Sequence, residues 1–188
     1  MLLRLVVHLL FVLAPVSAEA NKKLRTAYDF SFVSIEGEAL SLAKFRGKVI
    51  LLVNTASQCG FTGQYNNLQT LWTRYRKRGL IVLGIPSNDF GQQEPGNEAE
   101  IKEFCEVNFD IDFPLTSKVH VTGVKVHPFY QWATEKFGIV AKPRWNFHKY
   151  LIGPSGFLVD WFSTVTSPTS QKVISAIEAQ LERSTQTN

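Results

Sequence analysis

Val49-Ile50-Leu51-Leu52-Val53-Asn54-Thr55-Ala56-Ser57-Gln58-Cys59-Gly60-Phe61-Thr62 is the stretch that decides the fold. The aliphatic run at its start is the mark of a strand covered on both faces. It leads into a small polar turn that carries a single cysteine. From Tyr65, apolar residues recur at helical spacing as Leu68, Leu71, Trp72 and Tyr75, and Gly79 stops them after the basic turn Arg76-Lys77-Arg78. A second buried strand follows over 80–85. Strand, helix, strand over this length is a βαβ unit with a parallel pair. The cysteine therefore lies where a buried strand ends and a helix begins. Oriented backbone N–H groups there favour the thiolate, the reactive form.

Working outward, 28–34 alternates apolar and polar residues like a short strand, turned by Glu36-Gly37. A long loop spans 87–96. Asn97 then has the chemistry of an N-cap, with Glu100 placed to complete a capping box, and Ile101, Phe104 and Cys105 share one face of the helix that follows. A further helix over 127–137 ends at Gly138. Strands over 147–152 and 157–162 are joined by Gly153-Pro154-Ser155-Gly156 as a hairpin. Ser167-Pro168 predicts the start of a last helix, with Val173, Ile174, Ile177 and Leu181 as its apolar face. The order predicts an α/β protein of thioredoxin-like fold, a central mixed β-sheet flanked by helices. No repeat, low-complexity segment or linker divides 21–188, which reads as one domain.

The N-terminus reads as a secretory signal over 1–20. Arg4 supplies a basic start, 5–14 is apolar except for His8, and Val16-Ser17-Ala18 and Ala18-Glu19-Ala20 both offer small-x-small cleavage sites. The apolar core is shorter than the roughly 20 residues that span a bilayer. The expected location is secreted or periplasmic. A net charge of +4 with dispersed basic residues argues against nucleic-acid binding. His120, His127 and His148 lack ligand spacing, so no metal is expected. No Gly-x-Ser-x-Gly elbow and no Gly-x-Gly-x-x-Gly fingerprint is present, and no cofactor is expected.

The chain has two cysteines, Cys59 and Cys105. In an exported chain two cysteines suggest a structural bridge, although a chain of this length can bury a core without one. Thr62 stands where a Cys-x-x-Cys dithiol would place its second thiol. A lone thiol suits attack on an electrophile, and a peroxide oxygen is the simplest. Such attack needs donors around the sulfur and a proton for the departing oxygen, which neutral amides and an indole N–H can serve. The loop 87–96 follows the second parallel strand, so it is expected at the carboxyl end of the sheet, facing Cys59.

Three blocks, 54–62, Phe90-Gly91-Gln92-Gln93-Glu94-Pro95-Gly96 and Trp145-Asn146-Phe147, together resemble the signature blocks of the glutathione peroxidase family, in family order. The resemblance extends over most of 28–181. It implies a peroxidase on a thioredoxin-like fold, acting on hydrogen peroxide and on organic or lipid hydroperoxides in oxidative-stress defence. It implies Cys59 as nucleophile, where some members carry selenocysteine, with Gln93, Trp145 and Asn146 as donors around its sulfur. Two positions depart from the pattern: Asp89 stands where glutamine is common, and Gln92 where glycine is frequent. The segment around Cys105 resembles the one bearing the resolving cysteine of the two-cysteine subgroup, which implies a transient Cys59–Cys105 disulfide reduced by thioredoxin; glutathione is the alternative reductant. The helix bearing Cys105 is then expected to unwind locally during turnover, because a disulfide needs Cα atoms within about 7 Å. The short segment 137–145 resembles that of the monomeric members. Lys142 and Arg144 flank Trp145 and are candidates for steering anionic substrates or an acidic reductant surface. Two rival readings stand beside this one: a redox sensor or relay that passes a disulfide to a partner protein, and a structural domain with a static Cys59–Cys105 bridge.

Overall fold

The computed structural model describes residues 24–186. The segment read as a signal, 1–20, lies outside them. In chain order the elements are strands β1 (Ser31–Val33), β2 (Ala39–Ser41) and β3 (Val49–Thr55), helix α1 (Gln64–Tyr75), strand β4 (Leu80–Pro86), helices α2 (Glu98–Phe109) and α3 (Pro128–Phe137), strands β5 (Lys149–Ile152) and β6 (Leu158–Phe162), and helix α4 (Gln171–Gln186). The main sheet has four strands in the order β4-β3-β5-β6; β4 runs parallel to β3, and β5 and β6 are antiparallel additions. The expected mixed sheet flanked by helices is present.

Every residue of β3 is buried, as its aliphatic run requires. Successive side chains of a strand point to opposite faces. Val49, Leu51 and Val53 accordingly pack with Tyr65, Leu68 and Leu71 of α1, Ile101 and Cys105 of α2, and Val173, Ile177 and Leu181 of α4. Ile50 and Leu52 pack with Phe129, Tyr130 and Trp132 of α3 on the other side. The sheet is thus the middle of three layers. Gly84 in β4 allows a close approach on its far edge: a Cβ there would sit 2.5 Å from Leu115 Cδ2. The Gly84 N–H donates to Pro114 O and its C=O accepts from Thr116 N–H, both at 3.0 Å, so the 114–116 segment covers the sheet edge.

The expected helix signals hold where they are local. Asn97 and Glu100 form the capping box of α2, with Asn97 Oδ1 accepting from Glu100 N–H at 3.0 Å and Glu100 Oε2 accepting from Asn97 N–H at 2.8 Å. Gly79 closes the 3-10 turn after α1 with φ +105. Three boundaries differ. Residues 28–34 form only β1, preceded by a 3-10 turn at Ala27–Asp29 and paired with β2, whose strand character the sequence pattern did not mark. β5 begins at Lys149, because Phe147 adopts a left-handed φ of +62 that a strand cannot contain. Helix α4 begins at Gln171 and not at Ser167-Pro168. Ser167 Oγ is engaged by Asn67 Nδ2 at 2.9 Å and by Thr169 N–H at 3.3 Å, and the first turn is a separate one that ends on Ser170.

Candidate active site

Cys59 lies in the turn between β3 and α1, at the carboxyl end of the parallel pair, and is 8% exposed. The Phe61 N–H points at Cys59 Sγ from 3.4 Å. This gives the sulfur one backbone donor from the turn that leads into α1. Thr62, standing at the second position of a would-be dithiol, closes the turn instead. Its hydroxyl accepts from Cys59 N–H at 3.0 Å and donates to Ala56 O at 3.0 Å. A side-chain staple of this kind fixes a turn that has few backbone bonds of its own.

The two other blocks are tied to this turn. Gln58 N–H donates to Gln93 O at 2.9 Å, which sets the 87–96 loop against it. Asn146 Nδ2 donates to Gln93 Oε1 at 2.9 Å, joining the third block to the second. Asn146 is fully buried, and its Oδ1 has no hydrogen-bond partner. The Trp145 ring lies 5.9 Å from that of Phe90. At 39% exposure Trp145 is not a core residue, so its apolar bulk is spent at the surface beside the site. The structure thus brings Cys59, Gln93, Trp145 and Asn146 to one end of the sheet.

Sequence reasoning passed over the residues that hold the third block. Asn54, at the end of β3, has Nδ2 donating to Trp145 O and Oδ1 accepting from His148 N–H, both at 3.1 Å. Its backbone C=O accepts from Phe147 N–H, and its N–H donates to His148 O at 3.2 Å. Thr164 Oγ1 donates to Asn146 O at 2.8 Å, while Thr164 O accepts from Gln64 Nε2 of α1 at 2.7 Å. Behind them, fully buried Lys149 points its Nζ at the carbonyls of Ser163, Thr164 and Thr166. Burial pushes the Lys149 amine down to about 7. These contacts bridge long sequence separations, and only the position of Asn54 inside the opening stretch hinted at any of them.

The two departures in the loop have structural accounts. Gln92 holds φ +53, the conformation that suits the glycine frequent there. Asp89 gathers the 120–122 segment: Oδ1 meets His120 Nδ1 at 2.7 Å, and Oδ2 accepts from the N–H groups of Val121 and Thr122 at 2.6 and 3.0 Å. Glu94 is buried, and burial raises its carboxyl above the usual range, opposed by nearby Ser57 and Lys118.

Cys105 is fully buried on α2, and both thiols are free. Burial pushes the Cys105 thiol up to about 11, with the neighbouring Tyr65 hydroxyl pulling the other way. Its face is the one shared with Ile101 and, in part, Phe104, as the helical spacing indicates. A cavity of about 370 Å³ separates the Cys59 turn, at Ser57 and Gln58, from α2, at Ile101 and Phe104, with Glu94 on its wall. Lys142 is half-buried and Arg144 exposed, both beside a second cavity that also reaches Thr164. Among the described residues no cluster of His, Cys, Asp or Glu forms a metal site, and no helix is long and apolar enough to cross a membrane.

A thiol at the carboxyl end of the first strand of a parallel pair, on a thioredoxin-like scaffold, has the placement expected of a thiol-dependent oxidoreductase. Comparison with known proteins narrows the class. A family profile described as glutathione peroxidase matches residues 27–134. The hydroperoxy fatty acid reductase gpx1 of Synechocystis is 44% identical over 160 residues, covering 81% of this chain and 93% of its own. The glutathione peroxidase-like peroxiredoxin 2 of Saccharomyces cerevisiae is 39% identical over 146 residues, covering 76% and 90%. Among solved structures, that of Trgpx in apo form superposes with a TM-score of 0.68 at 31% identity, covering 85% of this chain and 98% of its own. A thioredoxin-family thiol:disulfide interchange protein from Chlorobium tepidum shares the fold alone, with a TM-score of 0.61 at 18% identity and coverage of 86% and 99%. The chain belongs to the glutathione peroxidase family. It is a thiol peroxidase, an oxidoreductase that reduces hydroperoxides.

Proposed function

We propose that Cys59 is the peroxidatic nucleophile and that Gln93, Trp145 and Asn146 are the donors around its sulfur. The observation that carries this reading is the continuous hydrogen-bonded path from the Cys59 turn through Gln58 and Gln93 to Asn146. It ties three distant segments to the turn that carries the thiol. The Cys59 thiolate attacks the terminal peroxide oxygen, the O–O bond breaks, and the departing alkoxide takes a proton to leave as alcohol or water. Cys59 becomes a sulfenic acid. Preset amide and indole donors lower the cost of charge developing on the two oxygens, an effect worth roughly 10²–10³ in rate per donor elsewhere. Organic and lipid hydroperoxides fit the partly apolar surround of Trp145, and a Synechocystis relative named for hydroperoxy fatty acids supports that class.

Cys105 is the resolving thiol in this reading. It attacks the Cys59 sulfenic sulfur; a disulfide forms, and the sulfenic oxygen leaves as water with the thiol's proton. Thioredoxin then reduces the disulfide, or glutathione serves in its place. A buried thiol raised to about 11 on a capped helix does not react where it stands, so α2 opens locally before the bridge forms. The same slowness favours a second reading, in which a persistent sulfenic acid passes its oxidation to a partner protein as a sensor or relay. The protein acts as a monomer, and the 1–20 segment directs it out of the cytoplasm, to a secreted or periplasmic location, in defence against oxidative stress.

The deciding experiment measures peroxide turnover with thioredoxin and with glutathione, on wild type and Cys105→Ser. Loss of thioredoxin-supported turnover with glutathione-supported turnover spared assigns Cys105 as resolving. Equal turnover of both proteins with both donors removes that role. Stoichiometric oxidation without recycling, together with trapped mixed disulfides, favours the relay.

A further inference from the structure

Between Glu38 and Asp89 the chain contains no acidic residue, yet it carries Lys44, Arg46, Lys48 and the run Arg74-Tyr75-Arg76-Lys77-Arg78. The fold sets these two basic segments side by side. One ends just before β3 and the other just before β4, and the two strands run parallel with Val49 opposite Leu80. Val49 N–H donates to Gly79 O at 3.0 Å, and the Lys48 side chain lies so near Gly79 that a Cβ there would sit 3.6 Å from Lys48 Cδ. All of these cations are exposed. Arg74 meets Glu178 and Arg76 meets Asp112, whereas Lys44, Arg46, Lys48, Lys77 and Arg78 enter no ion pair among the described residues. They occupy the amino end of the parallel pair, opposite the Cys59 turn. The β5–β6 hairpin closes the same end, with Gly47 N–H donating to Pro154 O at 3.2 Å, and it adds Phe157, 43% exposed. The N-terminal lead-in joins the fold here too. Ala27 N–H donates to Gly156 O at 2.8 Å, Leu24 is 66% exposed, and Lys22 and Lys23 precede it in sequence.

We propose that this basic end docks on the surface of an anionic lipid bilayer, with the Cys59 end turned away from it into solution. Cations gathered on adjacent turns with no carboxylate among them raise one another's energy, and a layer of phosphates relieves that repulsion. The neighbouring apolar groups choose between polyanions. Exposed Phe157 and Leu24 beside Lys and Arg are the pairing that enters a headgroup layer, apolar groups toward the acyl boundary and cations at the phosphates. A nucleic acid strand would want a succession of exposed rings among the cations. Tyr75 is instead fully buried, and Phe45 packs against the core. Each Lys or Arg near an anionic membrane surface adds about fivefold in affinity, so five unpaired ones give reversible, salt-sensitive docking. The orientation leaves the Cys59 turn open to peroxide and reductant arriving from solution, and it holds whatever the role of Cys59.

Co-sedimentation of the full chain with vesicles tests the docking without any turnover. One set is phosphatidylcholine alone, and the other contains about one-third phosphatidylglycerol. Neutral vesicles read whatever the apolar 5–14 segment contributes, and the difference between the sets reads the cations. Binding to the anionic set is expected to be at least tenfold stronger in about 0.1 M salt, and to fall to the neutral level in about 0.5 M salt. Lys44→Gln/Lys48→Gln/Lys77→Gln is expected to lose at least tenfold of the anionic binding. Its hydrogen peroxide turnover is expected to stay unchanged, because all three side chains are exposed at the end opposite Cys59. Lys142→Gln/Arg144→Gln, altered at the Cys59 end, is expected to bind as wild type does. Equal binding to both vesicle sets, or anionic binding that survives the triple variant, overturns the proposal. Loss of binding in Lys142→Gln/Arg144→Gln also overturns it, because the docking face is then the Cys59 end. Retention of a DNA oligonucleotide without vesicle binding overturns the lipid as occupant. Absence of hydrogen peroxide turnover in wild type strikes the Cys59 reading instead, and the vesicle result still decides the docking.

Discussion

The side-chain amide of Asn146 donates to the side-chain carbonyl of Gln93 at 2.9 Å, across 53 residues of sequence. One bond thereby fixes which way the Gln93 amide faces. With its oxygen occupied by Asn146, the Gln93 NH2 is the end left to serve as donor. Substituting Asn146 by Ala releases that orientation and empties a fully buried position. The kcat/KM for peroxide is expected to fall about 10²-fold, the size typical for loss of a preset donor. Gln93→Ala is expected to fall in the same range, and the double variant to lose little more than either single one. A stopped-flow series with hydrogen peroxide checks this; additive losses would contradict a shared unit.

Trp145 offers a cleaner separation of activity from stability. Because it is 39% exposed and its main ring contact is Phe90, Trp145→Phe is expected to change unfolding free energy by no more than about 0.5 kcal/mol. Peroxide reduction is expected to drop tenfold or more, since phenylalanine has no N–H. Paired denaturation and kinetic measurements decide it, and an active Trp145→Phe protein would remove the indole from the donor set.

Buried Lys149 is expected to act on the site at one remove. Its Nζ faces the carbonyls of Ser163, Thr164 and Thr166, and Thr164 in turn holds Asn146 and Gln64. Lys149→Met leaves those carbonyls without their donor, at a cost of about 2–4 kcal/mol. Guanidinium unfolding measures that loss. Amide exchange at the 163–166 turn is expected to rise in the same variant, and a turn that stays protected would show that the lysine is not its anchor.

Cys105 makes a pH prediction with a definite sign. Burial lifts its thiol in the folded protein from 9.0 to about 11. Between these values the unfolded chain has released the proton and the folded one has kept it. Stability contributed by the buried thiol is therefore fully present below about 9 and is lost as pH rises through about 11, by up to about 1.4 kcal/mol per pH unit. Cys105→Val is expected to flatten the stability profile over that window relative to wild type. A steeper fall in the variant would contradict the buried, protonated thiol.

What the sequence disclosed, and what it withheld, follows the range of the interactions. The parallel pair β3–β4 was legible because both strands are buried runs, and the α2 cap because Asn97 and Glu100 bond each other within one turn. The α4 start was misplaced because Ser167, a plausible N-cap by itself, is claimed by Asn67 from α1. The strand after Trp145 starts late because Phe147 takes a left-handed φ of +62 while its N–H reaches back to Asn54. Such tertiary demands override local preference. At the site, the strand-to-turn position marked Cys59 and the resemblance of the three blocks implied Gln93, Trp145 and Asn146, whereas Thr164 and Lys149, which hold the third block, carry no local signature. His148 was weighed only as a metal ligand, because the ring that stacks on it, Trp161, comes from β6.

The central claim is that Cys59 is the atom that meets the peroxide. Its most direct test is a single-turnover reaction of the reduced protein with one equivalent of hydrogen peroxide in the presence of dimedone, followed by peptide mass spectrometry. The account predicts a sulfenic-acid adduct on Cys59, accumulating in Cys105→Ser and giving way to a Cys59–Cys105 disulfide in wild type. An adduct that forms first on Cys105, or undiminished peroxide turnover by Cys59→Ser, would contradict it.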